Sequence, residues 1–298
     1  KANISVMVGQ LYKLTDVRRD GAYTVFYMGI NVGAAIGTIL VGYLGETIGW
    51  GYGFGLAGIG MLAGLIVFVL GKSALNGAGE APAPLAKSRE MTLYAIGIAA
   101  VAVCWALVQY QSVIQTLLVI SGVGLLGYVL YETFKLPKEP RERMFAILFL
   151  ISLNPLFWGL FEQAGGSMSL FTDRYVDRGA TPASLFQSIN PIYIILLAPL
   201  FAGLWQWLGK RGKEPSAPAK FGLALAQMGL ANLVLVWGAQ AYGVAAMTPV
   251  LFVFLYYLLA TTGELCLSPV GLSAMNRLAP SYLASLIMGA WFYMTAVG

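Results

Sequence analysis

Residues 256–275 read YYLLATTGELCLSPVGLSAM and carry one charge, that of Glu264, in this whole stretch. A helix of about twenty apolar residues spans the hydrocarbon core of a bilayer, and this stretch has that length and composition. Backbone amides inside lipid must bond within their own segment, which a helix achieves by itself. The stretch therefore predicts a membrane-spanning helix with an acidic residue near its middle.

The rest of the chain has the same character. Of its 298 residues, 58% are hydrophobic and 10% are charged, and the mean hydropathy is +0.75. The period-2 alternation of a transmembrane barrel is absent, and the 36 glycines favour close helix packing. We predict an all-α polytopic membrane protein. Its ten apolar segments lie at 1–12, 22–45, 51–71, 91–109, 112–131, 144–172, 183–209, 220–240, 247–275 and 282–298.

The first of these segments is too short to span a bilayer, and the last ends without a polar flank. We therefore expect the chain to be a fragment of a longer protein.

Most of the positive charges lie on one side of this arrangement. Fifteen of the 18 lysine and arginine residues fall in alternate loops, at 13–20, 72–90, 132–143, 210–220 and 276–281. The opposite loops, at 46–50, 110–111, 173–182 and 241–246, hold two. Because cytoplasmic loops carry the excess of lysine and arginine, we assign the first set to the cytoplasm. Topology thus explains the net charge of +5, and we expect no nucleic-acid partner.

Two cytoplasmic loops resemble linkers, NGAGEAPAPLAKSRE at 76–90 and KLPKEPRERM at 135–144. The uncharged stretch 91–131 lies between them and is long enough for a helical hairpin that turns near 109–111. We interpret this hairpin as an insert. The predicted division is the end of an N-terminal bundle at 1–75, a linker with the hairpin at 76–143, and a C-terminal bundle at 144–298.

Several chemistries are not supported by the sequence. The chain has no histidine, its two cysteines (Cys104 and Cys266) both fall in apolar segments, and no glycine-rich phosphate loop is present. We therefore predict no metal centre, no cofactor and no enzymatic activity. The glycine-rich runs at 31–37 and 51–60 favour helix contacts over a ligand cradle.

Six polar side chains interrupt the apolar segments, at Lys1, Asn31, Asn154, Glu162, Asn190 and Glu264. An ionisable group in mid-bilayer costs on the order of several kcal/mol, so such groups usually face a cavity or a partner. Prolines accompany three of the six, at Pro155, Pro191 and Pro269, and they free backbone carbonyls as in the broken helices of transporters. These features predict a polar cavity between the helices.

Structural explanations remain open for four of these residues. Asn31 and Asn190 could form helix–helix hydrogen bonds, which contribute about 0.6 kcal/mol each in membrane proteins. Glu162 and Glu264 could belong to structural ion pairs, and Glu162 could also extend its carboxylate to the outer interface.

The residues resemble those of a known family. KANISVMVGQLY at 1–12 and DVRRDGAYTVFYMGINVGAAIG at 16–37 resemble the paired signature of the proton-coupled oligopeptide transporters, a branch of the major facilitator superfamily. GELCLSPVGLSAMNRLAP at 263–280 resembles their tenth helix. The resemblance implies the major facilitator fold, with this chain running from helix 4 to helix 11. It also implies a bacterial inner-membrane location, because bacterial members carry an extra hairpin where 91–131 falls.

The family's substrate contacts match six residues here, Lys1, Asn31, Trp158, Asn190, Glu264 and Trp291. The resemblance implies that Lys1 lies near the peptide carboxylate and that Glu264 receives the amino terminus. It implies a peptide-backbone contact for Asn31 and a helix-8 contact for Asn190. The two tryptophans match pocket aromatics, although the residues alone leave an interfacial position open.

The implied function is symport of di- and tripeptides with protons by alternating access, in contact with membrane lipid. Glu162 matches the helix-7 acid of proton coupling, in which Glu264 also takes part, and Lys1 and Glu264 match the cytoplasmic gate. The family's first helix carries a Glu-x-x-Glu-Arg coupling motif, and because the resemblance begins at helix 4, that first helix is not among the residues it covers. Part of the coupling machinery is therefore not represented.

The chemistry supports this interpretation without the family. A zwitterionic peptide presents an ammonium and a carboxylate, which Glu264 and Lys1 would complement, and asparagines offer both a donor and an acceptor to peptide groups. Two alternatives remain, a facilitator of nitrate, sugar or drugs on the same fold, and a non-transporting membrane sensor. Convergence of Lys1, Asn31, Asn190 and Glu264 on one void would favour the peptide transporter.

Overall fold

The computed structural model describes residues 7–8, 11, 19–78, 85–242, 246–280 and 282–298. Within these ranges the chain folds into ten α-helices, three 3₁₀ segments (Gly71–Leu75, Glu162–Gly165 and Ala183–Ser188) and one pair of short strands, β1 (Val176–Asp177) and β2 (Thr248–Pro249). The helices are α1 (Arg19–Thr47), α2 (Trp50–Leu70), α3 (Lys87–Val108), α4 (Gln111–Lys135), α5 (Lys138–Phe161), α6 (Ser167–Tyr175), α7 (Ile189–Lys210), α8 (Ala217–Tyr242), α9 (Leu251–Leu278) and α10 (Ala284–Val297).

Eight helical stretches of the described part are long and apolar enough to cross a membrane. They correspond to the predicted segments from 22–45 through 247–275, so the all-α membrane prediction is confirmed. The apolar part of α10 is shorter, at Leu286–Val297, and the predicted segment 1–12 lies almost wholly outside the described residues. The predicted turn of the hairpin is found at 109–110, between α3 and α4.

Helix α9 forms the centre of the bundle and packs against α5, α7, α8 and α10. Its closest neighbour is α8, and Gly263 makes this approach possible, because an added Cβ would lie 3.0 Å from the carbonyl oxygen of Ala224. The same Cβ would lie 3.2 Å from the ring of Phe157 on α5. Over half of the residues in the apolar part of α9 are buried, a larger share than in any other described membrane span. Helix α9 therefore fixes the positions of the helices around it.

The hairpin of α3 and α4 lies at the periphery. Helix α3 packs mainly on α4, and α4 touches α5 and α10. Ser121 on α4 is hydrogen-bonded to the hydroxyl of Tyr293 on α10 at 2.8 Å, and that hydroxyl also donates to the carbonyl of Leu118. Most apolar side chains of the hairpin are exposed, as expected of a surface that faces lipid. The division of the chain into two bundles and a linker remains a prediction.

Two contacts join the loops assigned to the outer side. Strand β1 pairs in parallel with β2, which brings 173–182 together with the segment before α9. The carboxylate of Glu46, at the end of α1, accepts a hydrogen bond of 2.8 Å from the backbone amide of Ser184. The end of α1, the segment 173–184 and β2 therefore lie on one side, which supports a common assignment of the loops at 46–50 and 173–182.

We predict that 135–143 and 210–220 are cytoplasmic and that 173–182 faces outward, because the cations concentrate in the first two loops. Single cysteines in these loops would be tested with an impermeant thiol reagent on intact cells, after Cys104 and Cys266 have been replaced by serine. Only the cysteine in 173–182 should react. Labelling of the 210–220 loop from outside would contradict this topology.

Candidate functional site

Glu264 lies at the middle of α9 and is 8% exposed. One of its oxygens, Oε2, accepts a hydrogen bond of 3.0 Å from Nδ2 of Asn190 on α7. A carboxylate in the hydrocarbon region needs such donors, because the charged form is otherwise strongly disfavoured. The structure thus brings together two of the residues that the sequence singled out.

Asn190 is held by a third residue that sequence reasoning missed. Its Nδ2 also donates to Oγ1 of Thr261, again at 3.0 Å, and Thr261 is completely buried. Thr261 precedes Glu264 by three positions, so both side chains lie on one face of α9. A threonine in an apolar run gave no signal of its own, but its spacing from Glu264 could have indicated a shared face.

The segment that carries Asn190 is helical well before α7 begins. The 3₁₀ segment Ala183–Ser188 continues directly into α7, and Pro191 occupies the first turn of α7. Proline is tolerated there because the amides of a first turn have no intrahelical partner. Asn190 is therefore one turn or more inside a continuous helical stretch, at a depth where it meets the middle of α9.

Asn31 is 7% exposed, on a helix whose described side chains are mostly exposed. It shares a helical face with Ala35 and Gly42, which are also buried. Gly42 contacts Ser184, and α1 packs against α7, the helix that carries Asn190. Asn31 thus lies on the side of α1 that faces the C-terminal half. Lys1 lies outside the described residues.

Asn154 joins α5 to α10. Its side chain is completely buried, and Nδ2 donates to the carbonyl oxygen of Trp291 at 3.0 Å and to Oγ1 of Thr295 at 2.9 Å. Its Oδ1 has no hydrogen-bond partner within the described part of the chain. These bonds fix the backbone of Trp291 against α5. Asn154 therefore holds α5 and α10 together, whereas the sequence had singled it out as a polar residue beside Pro155.

The two tryptophans occupy different environments. Trp158 is half-buried and meets Phe157 and Phe161 edge to face, with ring centroids 5.6 and 5.1 Å apart. Trp291 is 3% exposed and contacts Phe221 edge to face at 6.0 Å, so it is an interior residue of the bundle rather than an interfacial one. Their roles as pocket aromatics remain predictions.

Glu162 is exposed in the 3₁₀ segment that follows α5. It therefore lies between α5 and α6, inside the helical stretch Lys138–Tyr175. It is removed along α5 from Asn154, and the structure joins it by no hydrogen bond to Glu264 or Asn190. Its role in proton coupling remains a prediction.

A buried cation was also missed, because Lys220 was counted with the loop 210–220. It lies in the first turns of α8, is 6% exposed, and its Nζ is 2.5 Å from Oε1 of Glu214. The same Nζ lies 4.3 Å from the ring centroid of Trp205 on α7. Next to this pair is a cavity of about 350 Å³, which extends to Pro269 on α9. The ion pair joins the α7–α8 loop to the first turns of α8, beside a cavity that α9 also lines.

A family model described as the POT family matches residues 1–298. The chain belongs to the POT family. The resemblance that the sequence motifs indicated is thereby confirmed, and with it the fold class. The POT family is a family of multi-pass membrane transporters, in agreement with the apolar helices described above.

Individual relatives agree with the family assignment. The chain is 37% identical to peptide transporter YePEPT of Yersinia enterocolitica, over all of this chain and 63% of that protein. It is 36% identical to the uncharacterized transporter YclF of Bacillus subtilis, over 99% of this chain and 62% of that one. A crystal structure of a mutant of peptide transporter POT in complex with alafosfalin matches with 34% identity and a TM-score of 0.79. The match covers 99% of this chain and 62% of that one. The chain thus spans about three fifths of the length of these POT relatives.

The position of Trp291 depends on a glycine of α9. A Cβ added at Gly271 would lie 2.2 Å from Cη2 of Trp291, which is a severe overlap with a buried ring. We predict that Gly271→Ala in the full-length protein displaces this indole and destabilises the bundle by about 1–3 kcal/mol. The measurement is thermal unfolding in detergent.

Gly289→Ala on α10 is the matched control, because a Cβ added there meets no atom within 4 Å. The control should retain the wild-type midpoint or exceed it slightly, since alanine is the better helix former. Equal midpoints for the two variants would show that Trp291 is not packed as described.

Proposed function

We propose that this chain is part of a proton-driven symporter of di- and tripeptides, located in a bacterial plasma membrane. The observation that carries the proposal is the cluster of Thr261, Asn190 and Glu264 inside the bundle, where a carboxylate is held in mid-span. The names of POT relatives support a peptide substrate, since they include a peptide transporter and a dipeptide and tripeptide permease B of Edwardsiella piscicida.

Glu264 supplies the negative charge for the ammonium of a peptide. An ammonium is a donor with three N–H bonds and no acceptor, so it is complementary to an ionised carboxylate. In mid-bilayer such a pair forms away from bulk water, which strengthens the attraction between the charges. A peptide whose amino terminus is blocked would lose this interaction.

The other end of the peptide requires a cation and neutral hydrogen-bonding groups. Lys1 has the appropriate charge for the carboxylate, and Asn31 would contact the peptide backbone through its amide. Trp158 and Trp291 would provide aromatic surfaces for side chains of different sizes. These assignments follow the motif resemblance, and the inward-facing position of Asn31 on α1 is in agreement with them.

Alternating access requires the two halves of the transporter to close on one side while they open on the other. The described contacts between the halves lie on the outer side. Gly42 on α1 is so near Ser184 that an added Cβ would lie 2.6 Å from its Oγ, and Glu46 bonds the Ser184 amide. This arrangement is appropriate for a state in which the outer entrance is shut.

Proton coupling would use Glu162 and Glu264, and the inner gate would use Lys1 and Glu264. Protonation of an acid removes its attraction to a cation, so it changes the relative energies of the open and closed states. Glu162 is exposed at the end of α5, and in this proposal it would exchange its proton with a hydrated cavity. Glu264 is buried, where its charge has to be compensated by a peptide or a protein group.

Glu264→Gln in the full-length protein should weaken the binding of dialanine much more than that of N-acetylated dialanine. The loss of a charge-assisted hydrogen bond costs roughly 1.5–3 kcal/mol, which corresponds to about tenfold or more in affinity. The measurement is counterflow of labelled dialanine in proteoliposomes, with both compounds as competitors.

Glu90→Gln is the matched control, because Glu90 is an exposed acid at the start of the peripheral hairpin. It should behave like the wild type. Equal losses for both ligands in Glu264→Gln would show that Glu264 has a structural role. A wild-type protein that exchanges no peptide but another solute would favour the alternative facilitator.

The gate leads to a separate prediction. A contact between Lys1 and Glu264 would stabilise the outward-open state, since it offsets the cost of placing both charges in the membrane. Lys1→Ala and Glu264→Ala should each raise the inward-open population, and the double variant should shift it by clearly less than the sum. Distances between spin labels on the cytoplasmic loops of the full-length protein would measure this. Strictly additive shifts would exclude a direct gate contact.

A further inference from the structure

Asn190 uses both N–H bonds of its side-chain amide within the protein. Nδ2 has two hydrogens, and it donates to Oγ1 of Thr261 and to Oε2 of Glu264, each at 3.0 Å. The reverse orientation of the amide would direct Oδ1 at an ionised carboxylate, which can only accept. Asn190 is only partly buried, and its remaining polar atom, Oδ1, makes no hydrogen bond within the described residues. The amide therefore offers a ligand only an acceptor.

We propose that Thr261 is a positioning residue that holds the amide of Asn190 in this orientation and thereby selects ligands with an ammonium group. This inference rests on the proposed function and concerns the same site. Asn190 and Glu264 together present carbonyl and carboxylate oxygens, a set that is complementary to an ammonium and not to a carboxylate. Thr261 would act only through Asn190, because its own side chain is completely buried.

The geometry of α9 explains why both bonds are needed. Thr261 and Glu264 are separated by three positions on one helix face, so they offer two acceptors to the same nitrogen. A bond to Glu264 alone would leave the second N–H free to turn towards the ligand. The amide would then present a donor as well as an acceptor, and its preference for ammonium over neutral or anionic groups would fall.

The test compares Thr261→Val with Thr261→Ser in the full-length protein. Valine has nearly the shape of threonine without the hydroxyl, whereas serine retains the hydroxyl. Thr261→Val should raise the apparent KM for dialanine by about three- to tenfold, the usual effect of one neutral hydrogen bond, and leave kcat nearly unchanged. Thr261→Ser should restore most of the wild-type KM. Inhibition by N-acetylated dialanine should be the same in all three proteins.

A double-variant cycle separates positioning from general stability. In an Asn190→Ala background, Thr261→Val should have no further effect on KM, because the amide that it positions is absent. If Thr261 were merely a packing residue, its effect would add to that of Asn190→Ala. Thermal unfolding of each variant provides the check on folding, and Thr261→Ala replaces Thr261→Val if valine is not accommodated.

The outcomes are distinguishable. If the wild type exchanges dialanine and Thr261→Val has the wild-type KM, the positioning role is wrong and the proposed function stands. Additive effects in the cycle, or equal weakening of the acetylated ligand, would also overturn the positioning role. If the wild type exchanges no peptide, the proposed function and this inference fail together.

Discussion

A carboxylate in the middle of a membrane helix must be compensated, and the arrangement around Glu264 follows from this requirement. Water cannot solvate the charge in the hydrocarbon region, so donors have to come from the protein or from a ligand. Asn190 provides one donor from α7, and the amide of Asn190 is in turn held by Thr261. The charge therefore fixes the relative positions of α7 and α9 at mid-span.

Close packing around α9 gives this cluster its rigidity. Gly263, the residue before Glu264, allows α8 and Phe157 to approach the helix axis, and Gly271 accommodates the ring of Trp291. On the other side, Asn154 bonds the backbone of Trp291 to α5. The helices that carry the candidate site are thus tied to one another by contacts that tolerate little displacement, as a binding site requires.

The contacts between the two halves of the chain are of a different kind. In the described part of the chain they include a glycine surface and a hydrogen bond to a backbone amide near the outer ends of α1 and α7. Few contacts have to break for the outer ends of α1 and α7 to separate. Movement of helices within the C-terminal half would instead disrupt its packed interior. A firm C-terminal half with a smaller contact to α1 is what the proposed rigid-body motion between two bundles would need.

The sequence by itself determined the membrane-spanning class, the helical segments, the hairpin of α3 and α4 and the family. These follow from apolar length, from the absence of charge and from local motifs, which do not depend on distant parts of the chain. It also identified Glu264, Asn190 and Asn31, because polar residues are rare in such segments and each one is conspicuous.

Only the tertiary structure decided which of these residues meet and which neighbours hold them. Thr261 and Lys220 escaped notice because neither is unusual in its local sequence: a threonine is common in membrane helices, and a lysine is common at a helix start. Their importance arises from partners up to 71 positions away, Asn190 for Thr261 and Trp205 for Lys220. The local sequence shows which polar groups lie in apolar segments, where their burial costs free energy. Only the packing of the helices shows which partners compensate that cost.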